Sequence, residues 1–259
     1  MREELHDTSQ TAADGWKQFQ AHSTATKLLI TAGDPHRVND ALQSTDGVGI
    51  MQSEYTVLKT GLHPSHLRAE KKLGILQRNL TKTMHDFLEP QPHSRTLRVR
   101  LPNLSPEERR HLSHSSLYEE SALDEQDRGL KYLLENPYLL ETYLAAVAKL
   151  PNTLQPSVSL LIPEARDPEE VIILSRLLEK LRPQSLRAIP DLWLQIDLPY
   201  QLKYLQQFTT ASSSISGLSL DLMAMTSRFR GIDPHQQQHT NTAARNASLD
   251  EQLAAEVMR

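Results

Sequence analysis

The sequence predicts an α/β protein: about six parallel strands with helices around them. Two observations carry this. Short apolar runs alternate along the chain with segments of helical apolar spacing, the mark of successive βα units. Helix-start chemistry, a small polar or acidic residue followed by Pro, recurs soon after several of those runs. At 259 residues there is room for one large domain.

The elements follow in order. Residues 1–22 are polar and turn-rich and read as an N-terminal arm. TKLLITAGDP (26–35) supplies the first strand, ending where Asp34 can cap a helical turn that starts at Pro35. STDGVGIMQSEY (44–55) supplies the second: an Asp46-Gly47 turn, the apolar run Val48 to Met51, then polar residues. Leu67, Leu73, Leu76, Leu80, Met84 and Phe87 recur at helical spacing and predict one long helix over 65–88. RTLRVRL (95–101) alternates as a strand does, and SPEERR (105–110) opens a helix capped by Ser105. ENPYLLETYLAAVAKL (135–150) is helical after Pro137, and PSVSLLIP (156–163) is the fourth strand. Asp167, Pro168 and Glu170 form a capping box for the next helix. LWLQIDLP (192–199) and SSISGLSL (213–220) are the last strands, with a helix over about 200–208 between them. Residues 234–259 form a polar tail with a short helix expected over 248–258. Six strands are countable, whereas a closed (β/α) barrel has eight.

Composition excludes several functions. The net charge is −4 with both signs mixed, so the clustered Lys/Arg of a nucleic-acid surface is missing. No apolar run approaches the roughly 18 residues of a membrane span, and the first twenty residues have no signal-peptide core. A cytoplasmic location is expected. The chain has no cysteine, which excludes disulfides, thiolate metal sites and cysteine nucleophiles. His111/His114 and His235/His239 have ligand-like spacing, but their polar surroundings suggest no third ligand and favour solvated faces. Asn246-Ala247-Ser248 is a glycosylation sequon without a secretion signal, and no base is placed to activate Ser212 to Ser214.

Six motifs stand in a telling order. Thr26-Lys27 and Gly33-Asp34-Pro35 frame the first strand, and Asp46-Gly47-Val48-Gly49-Ile50-Met51-Gln52-Ser53-Glu54-Tyr55 is followed by His63-Pro64. Then come Ser94 to Leu101 (SRTLRVRL), Glu135 to Thr142 (ENPYLLET), Ile162 to Glu170 (IPEARDPEE), Asp197-Leu198-Pro199, and Ser216 to Ala224 (SGLSLDLMA). Together they resemble the C-terminal phosphoenolpyruvate-binding barrel of the PEP-utilising enzymes: phosphoenolpyruvate synthase, which is nearest, pyruvate phosphate dikinase, and enzyme I of the sugar phosphotransferase system. The resemblance covers roughly residues 23–233. It implies an incomplete TIM-type (β/α) barrel.

In that family, strand-end arginines clamp the PEP phosphate, a Glu and an Asp hold Mg²⁺, and a cysteine handles the enolate proton. By the resemblance, Arg95 stands at one clamp position and Arg100 matches the second arginine of the third strand. Gln52 and Thr142 stand where two other arginines are expected, and Leu140 where a glycine is. Asp197 replaces the metal-binding Glu and Asp221 keeps the metal-binding Asp, but Leu220 and Ala224 replace the neighbouring Asn and Gln. The cysteine and the last two strands are missing, and no phosphohistidine domain precedes the barrel. Arg98 is an addition in the third strand, expected to be out of phase with the clamp. Losing two charge-assisted clamps costs about 3–6 kcal/mol, or roughly 10² to 10⁴ in affinity.

The expected function is therefore that of a degenerate, truncated, non-catalytic homologue (a pseudoenzyme) acting in binding, regulation or assembly. A homo-oligomer or a hetero-complex with another protein is expected, because the open strands (about 27–31 and 214–220) expose Leu28, Ile30, Leu218 and Leu220. Two alternatives stay open: a weak PEP or pyruvate sensor using Arg95, Arg100, Asp197 and Asp221, or a residual phosphotransferase subunit completed by another chain. No catalytic residue is assigned and no cofactor is expected, except Mg²⁺ if Asp197 and Asp221 keep their site.

Overall fold

The computed structural model describes residues 27–38, 42, 45–91, 96–118, 127–212 and 215–231. The arm over 1–22, the tail over 234–259, Arg95, His235/His239 and the sequon lie outside them. Six strands form one parallel sheet: β1 (Leu29–Ala32), β2 (Gly47–Gln52), β3 (Leu97–Arg100), β4 (Val158–Ile162), β5 (Asp191–Ile196) and β6 (Ile215–Leu220). Their order in the sheet is their order in the chain, and every neighbouring pair is parallel. This is the α/β class, with the sheet curled as half of a barrel wall and helices on its outer side.

The helices are α1 (Glu54–Leu58), α2 (Pro64–Ala69), α3 (Leu73–Leu88), α4 (Pro106–Arg110), α5 (Gly129–Glu135), α6 (Pro137–Ala148), α7 (Pro168–Leu181), α8 (Pro199–Lys203), α9 (Leu205–Thr210) and α10 (Leu222–Phe229). Capping boxes start α4, from Ser105 to Glu108, and α7, from Asp167 to Glu170. Asp34 caps a short 3₁₀ turn over Pro35–Arg37. The single helix expected over 65–88 is two. After α2, the Lys72 N–H donates to the Leu67 carbonyl at 2.7 Å and the Lys71 N–H to that of Arg68 at 3.0 Å. That is a Schellman stop, with Lys71 left-handed at φ 56° where glycine is usual. Helix α10 was not anticipated, and the segment over 200–208 divides into α8 and α9.

Strand alternation sorts the side chains. Met51, Leu97, Val99, Leu160, Ile162, Leu192, Leu194 and Ile196 point outward into one buried core shared with Leu76, Leu80, Met84 and Phe87 of α3 and Leu139, Tyr143 and Val147 of α6. The other face carries Gln52, Arg98, Arg100, Ser159, Trp193, Gln195, Gly217 and Ser219, by the same alternation and register. Arg98 and Arg100 thus share the inner face, contrary to the expectation that Arg98 is out of phase. The Arg98 guanidinium lies over the Trp193 ring at 3.7 Å. Trp193 in turn leaves no room beside it: a Cβ on Gly217 would stand 2.7 Å from its ring.

On β6, Leu218 and Leu220 pair with Leu194 and Ile196, so they belong to the outer, helix-side face. Leu220 therefore points away from the strand-end site. Both leucines remain exposed, at 38% and 43%, while their partners on β5 are buried. No helix among the described residues is long and apolar enough to cross a membrane.

Candidate functional site

The carboxyl ends of parallel strands are where α/β sheets bind ligands, because loops and inward side chains converge there. Continuing the alternation past each strand brings Glu54 after Gln52, Asp197 after Gln195, and Asp221 after Ser219 to the inner side beside Arg100. Ser53 fastens this edge. Its hydroxyl donates to the Arg100 carbonyl and meets the Tyr143 hydroxyl at 2.6 Å, joining β2, β3 and α6. Burial raises the Tyr143 pKa, so the phenol stays neutral.

Arg100 is not free to receive a ligand. Its Nη2 forms an ion pair with Glu54 Oε1, both side chains being largely buried, while its Nε has no hydrogen-bond partner. Burial lowers the Arg100 pKa, and the carboxylates of Asp221, Asp197, Glu108 and Glu164 act against that. Gln52 sits beside Arg100 in register. Thr142 donates to the Tyr138 carbonyl at 2.7 Å within α6, so it reaches no strand end.

Asp197 is 2% exposed, and burial, reinforced by the Glu164 charge, pushes its pKa up to about 7. Its Oδ2 accepts from the Glu164 N–H at 3.1 Å, and its Oδ1 has no partner. Gln201 holds the backbone here, accepting from the N–H groups of Asp197 and Leu198 and donating to the Ala165 carbonyl. Asp221 Oδ1 caps α10 at the Ala224 N–H (2.9 Å), and Oδ2 accepts from Gln195 Nε2 at 3.2 Å. Three of the four carboxylate oxygens on Asp197 and Asp221 are therefore already engaged. Mg²⁺ demands near-octahedral oxygen coordination, and this donor set as folded does not fit it. Among the described residues no three His, Asp or Glu side chains converge on a cation position. His111 ends α4, whereas His114 is left-handed and stacks on His66 at 3.8 Å, so that pair shares no helix face.

The densest charge cluster escaped the sequence. Glu164, 1% exposed, sits just past β4 with φ 46°. Its carboxylate accepts from Arg128 Nε at 3.0 Å, Arg228 Nη2 at 2.7 Å and Asn103 Nδ2 at 3.3 Å, and Arg166 Nη2 lies at 3.6 Å. Arg128 is placed by its neighbour Asp127, which Arg109 grips through both the main-chain carbonyl and the carboxylate at 2.7 Å. Gly129 then lets the two segments touch: a Cβ there would stand 2.7 Å from the Glu164 Cβ, at a φ of 60°.

No family model matches the chain. Over 153 residues it is 24% identical to a probable phosphoenolpyruvate synthase of Methanothermobacter thermautotrophicus. The match takes in 57% of this chain and spans 22% of that protein. At that level the likeness supports kinship with the PEP-utilising enzymes and nothing finer.

Proposed function

We propose that this chain is a non-catalytic relative of the PEP synthase barrel, a degenerate TIM-type half-barrel that works by binding and assembly. The observation that carries the reading is the Arg100–Glu54 pair: the arginine matched to the phosphate clamp is already neutralised by the protein's own carboxylate. Gln52 and Thr142, at the other two clamp positions of the resemblance, bring no positive charge. Asp197 and Asp221 are read as structural carboxyls, not a Mg²⁺ site, because their oxygens serve the backbone, a helix cap and Gln195. The exposed outer leucines of β6 support a second copy or another protein as a cover, in a cytoplasmic setting.

A second reading has one observation in its favour. Asp197 Oδ1 and Arg100 Nε are buried without partners, which suits a weak PEP or pyruvate sensor built on Arg95, Arg100, Asp197 and Asp221. The test joins PEP titration calorimetry and sedimentation velocity to an assay for PEP formation from pyruvate and ATP. The expected result is an assembly larger than a monomer, no turnover, and no PEP heat below millimolar concentration. Micromolar PEP binding lost in Arg100→Ala favours the sensor. Turnover lost in Arg95→Ala overturns the non-catalytic reading.

A further inference from the structure

Glu164 is held the way a protein holds an anionic ligand. Two guanidinium groups and an amide converge on one carboxylate within hydrogen-bond distance, and a third guanidinium stands just beyond. These donors come from separate parts of the chain: Asn103 after β3, Arg128 before α5, Arg166 after β4 and Arg228 in α10. Convergence from four segments is more than one buried carboxylate requires. The positive charge also exceeds what it receives, since three guanidinium groups face a single negative charge. A doubly charged oxyanion would balance such a pocket better than a carboxylate does, and planar guanidinium groups match phosphate oxygens bidentately.

The presented group is conformationally unusual as well. Glu164 adopts φ 46°, a region that a side-chain-bearing residue enters at a cost, and its N–H is fixed by Asp197. Its backbone is turned so that the carboxylate enters the strand-end cluster. Gly129 has no Cβ at the point where one would collide with Glu164.

We propose that Asn103, Arg128, Arg166 and Arg228 form a phosphate-type oxyanion site in which the Glu164 carboxylate is the resident, tethered ligand. A tethered group competes at an effective concentration of millimolar or more, so free phosphate does not displace it from the native protein at ordinary concentrations. The side chain thus keeps the site closed. This site shares no donor with the Arg100–Glu54 pair, and the inference does not rest on catalytic silence.

The test uses the full chain and inorganic phosphate, with chloride at matched ionic strength as the control. Glu164→Gly removes the carboxylate and suits the backbone angle, and Glu164→Gln keeps the shape without the charge. In chloride both variants are expected to melt below the native protein. Phosphate should restore them saturably, with at least tenfold higher apparent affinity than the native chain shows. Adding Arg228→Gln to either variant should weaken that rescue at least tenfold. A variant unfolded in chloride but folded by phosphate also supports the site. Failure of phosphate to stabilise either variant overturns it, as does rescue that survives Arg228→Gln. Equal phosphate affinity in the native chain and the variants overturns the tethered-ligand role. None of these outcomes depends on PEP turnover, which tests the proposed function separately.

Discussion

Arg100 at the end of β3 and Glu54 at the start of α1 form a buried ion pair across two adjacent strand ends. Removing one partner of such a pair strands the other charge in a poorly solvated place, at about 3–5 kcal/mol. Arg100→Ala should therefore lower the melting temperature by roughly 10 °C in a chain of this size. The double variant Glu54→Gln/Arg100→Gln should lose less than the sum of the singles. A double-mutant cycle by chemical denaturation checks this, and additivity within about 0.5 kcal/mol counts against a coupled pair.

Asp197 sets a pH dependence whose sign can be worked out. Its pKa is raised to about 7 in the folded state, against about 3.9 in an unfolded chain. Between those values the folded state holds the proton and the unfolded state has released it, so folding takes up a proton. The Asp197 contribution is thus complete near pH 4, falls as pH rises, and levels off above about 7, a change of about 4 kcal/mol. Asp197→Asn should raise the melting temperature at pH 8 and change it little at pH 4.5. Thermal melts across that range decide; equal shifts at both ends contradict the assignment.

Glycine substitutions at two left-handed turns should differ. Gly61, φ 66°, has nothing within 4 Å of an added Cβ, so Gly61→Ala costs about 1 kcal/mol, from the backbone alone. Gly129, φ 60°, adds a collision with Glu164, so Gly129→Ala should cost about 2–3 kcal/mol. Denaturation midpoints of the two variants, measured together, give the difference. Equal costs mean that Gly129 does not control the approach of the 127–129 segment to Glu164.

The uncovered leucines of β6 predict association. Leu218→Lys with Leu220→Lys should shift sedimentation to a smaller species and leave the melting temperature of that species within a few degrees. Both side chains are already more than a third exposed in the single chain. Unchanged sedimentation of a folded variant shows that this face is not the contact.

The fold was legible because strands and caps announce themselves locally. Asp34, Ser105 and the Asp167/Glu170 box cap where their chemistry says they should, and all six apolar runs are strands. The stop after α2 was hidden because Lys71 takes a position that glycine usually marks. Arg100, Asp197 and Asp221 could be placed at the strand ends by alternation alone. Glu164 could not, because its positive φ breaks the alternation that would have sent it elsewhere. Arg128 and Arg228 reach it from outside the strands, so no periodicity in the sequence points to them. Glu54 was within reach, two residues beyond Gln52, but it stood inside a motif read for its missing arginine.

Because sheet order equals chain order, every strand pairs with the one that precedes it in the sequence, and no strand waits for a partner made much later. Loop closure at each step spans one βα unit, and its entropic cost grows only slowly with the length of that unit. The sheet can therefore grow strand by strand as the chain leaves the ribosome, each new strand docking on an edge that already exists. In that sequence β6 arrives last, on a wall already built by β1 to β5. Its amides should be the last to gain protection from exchange during refolding, and among the first to lose it as the folded protein begins to open.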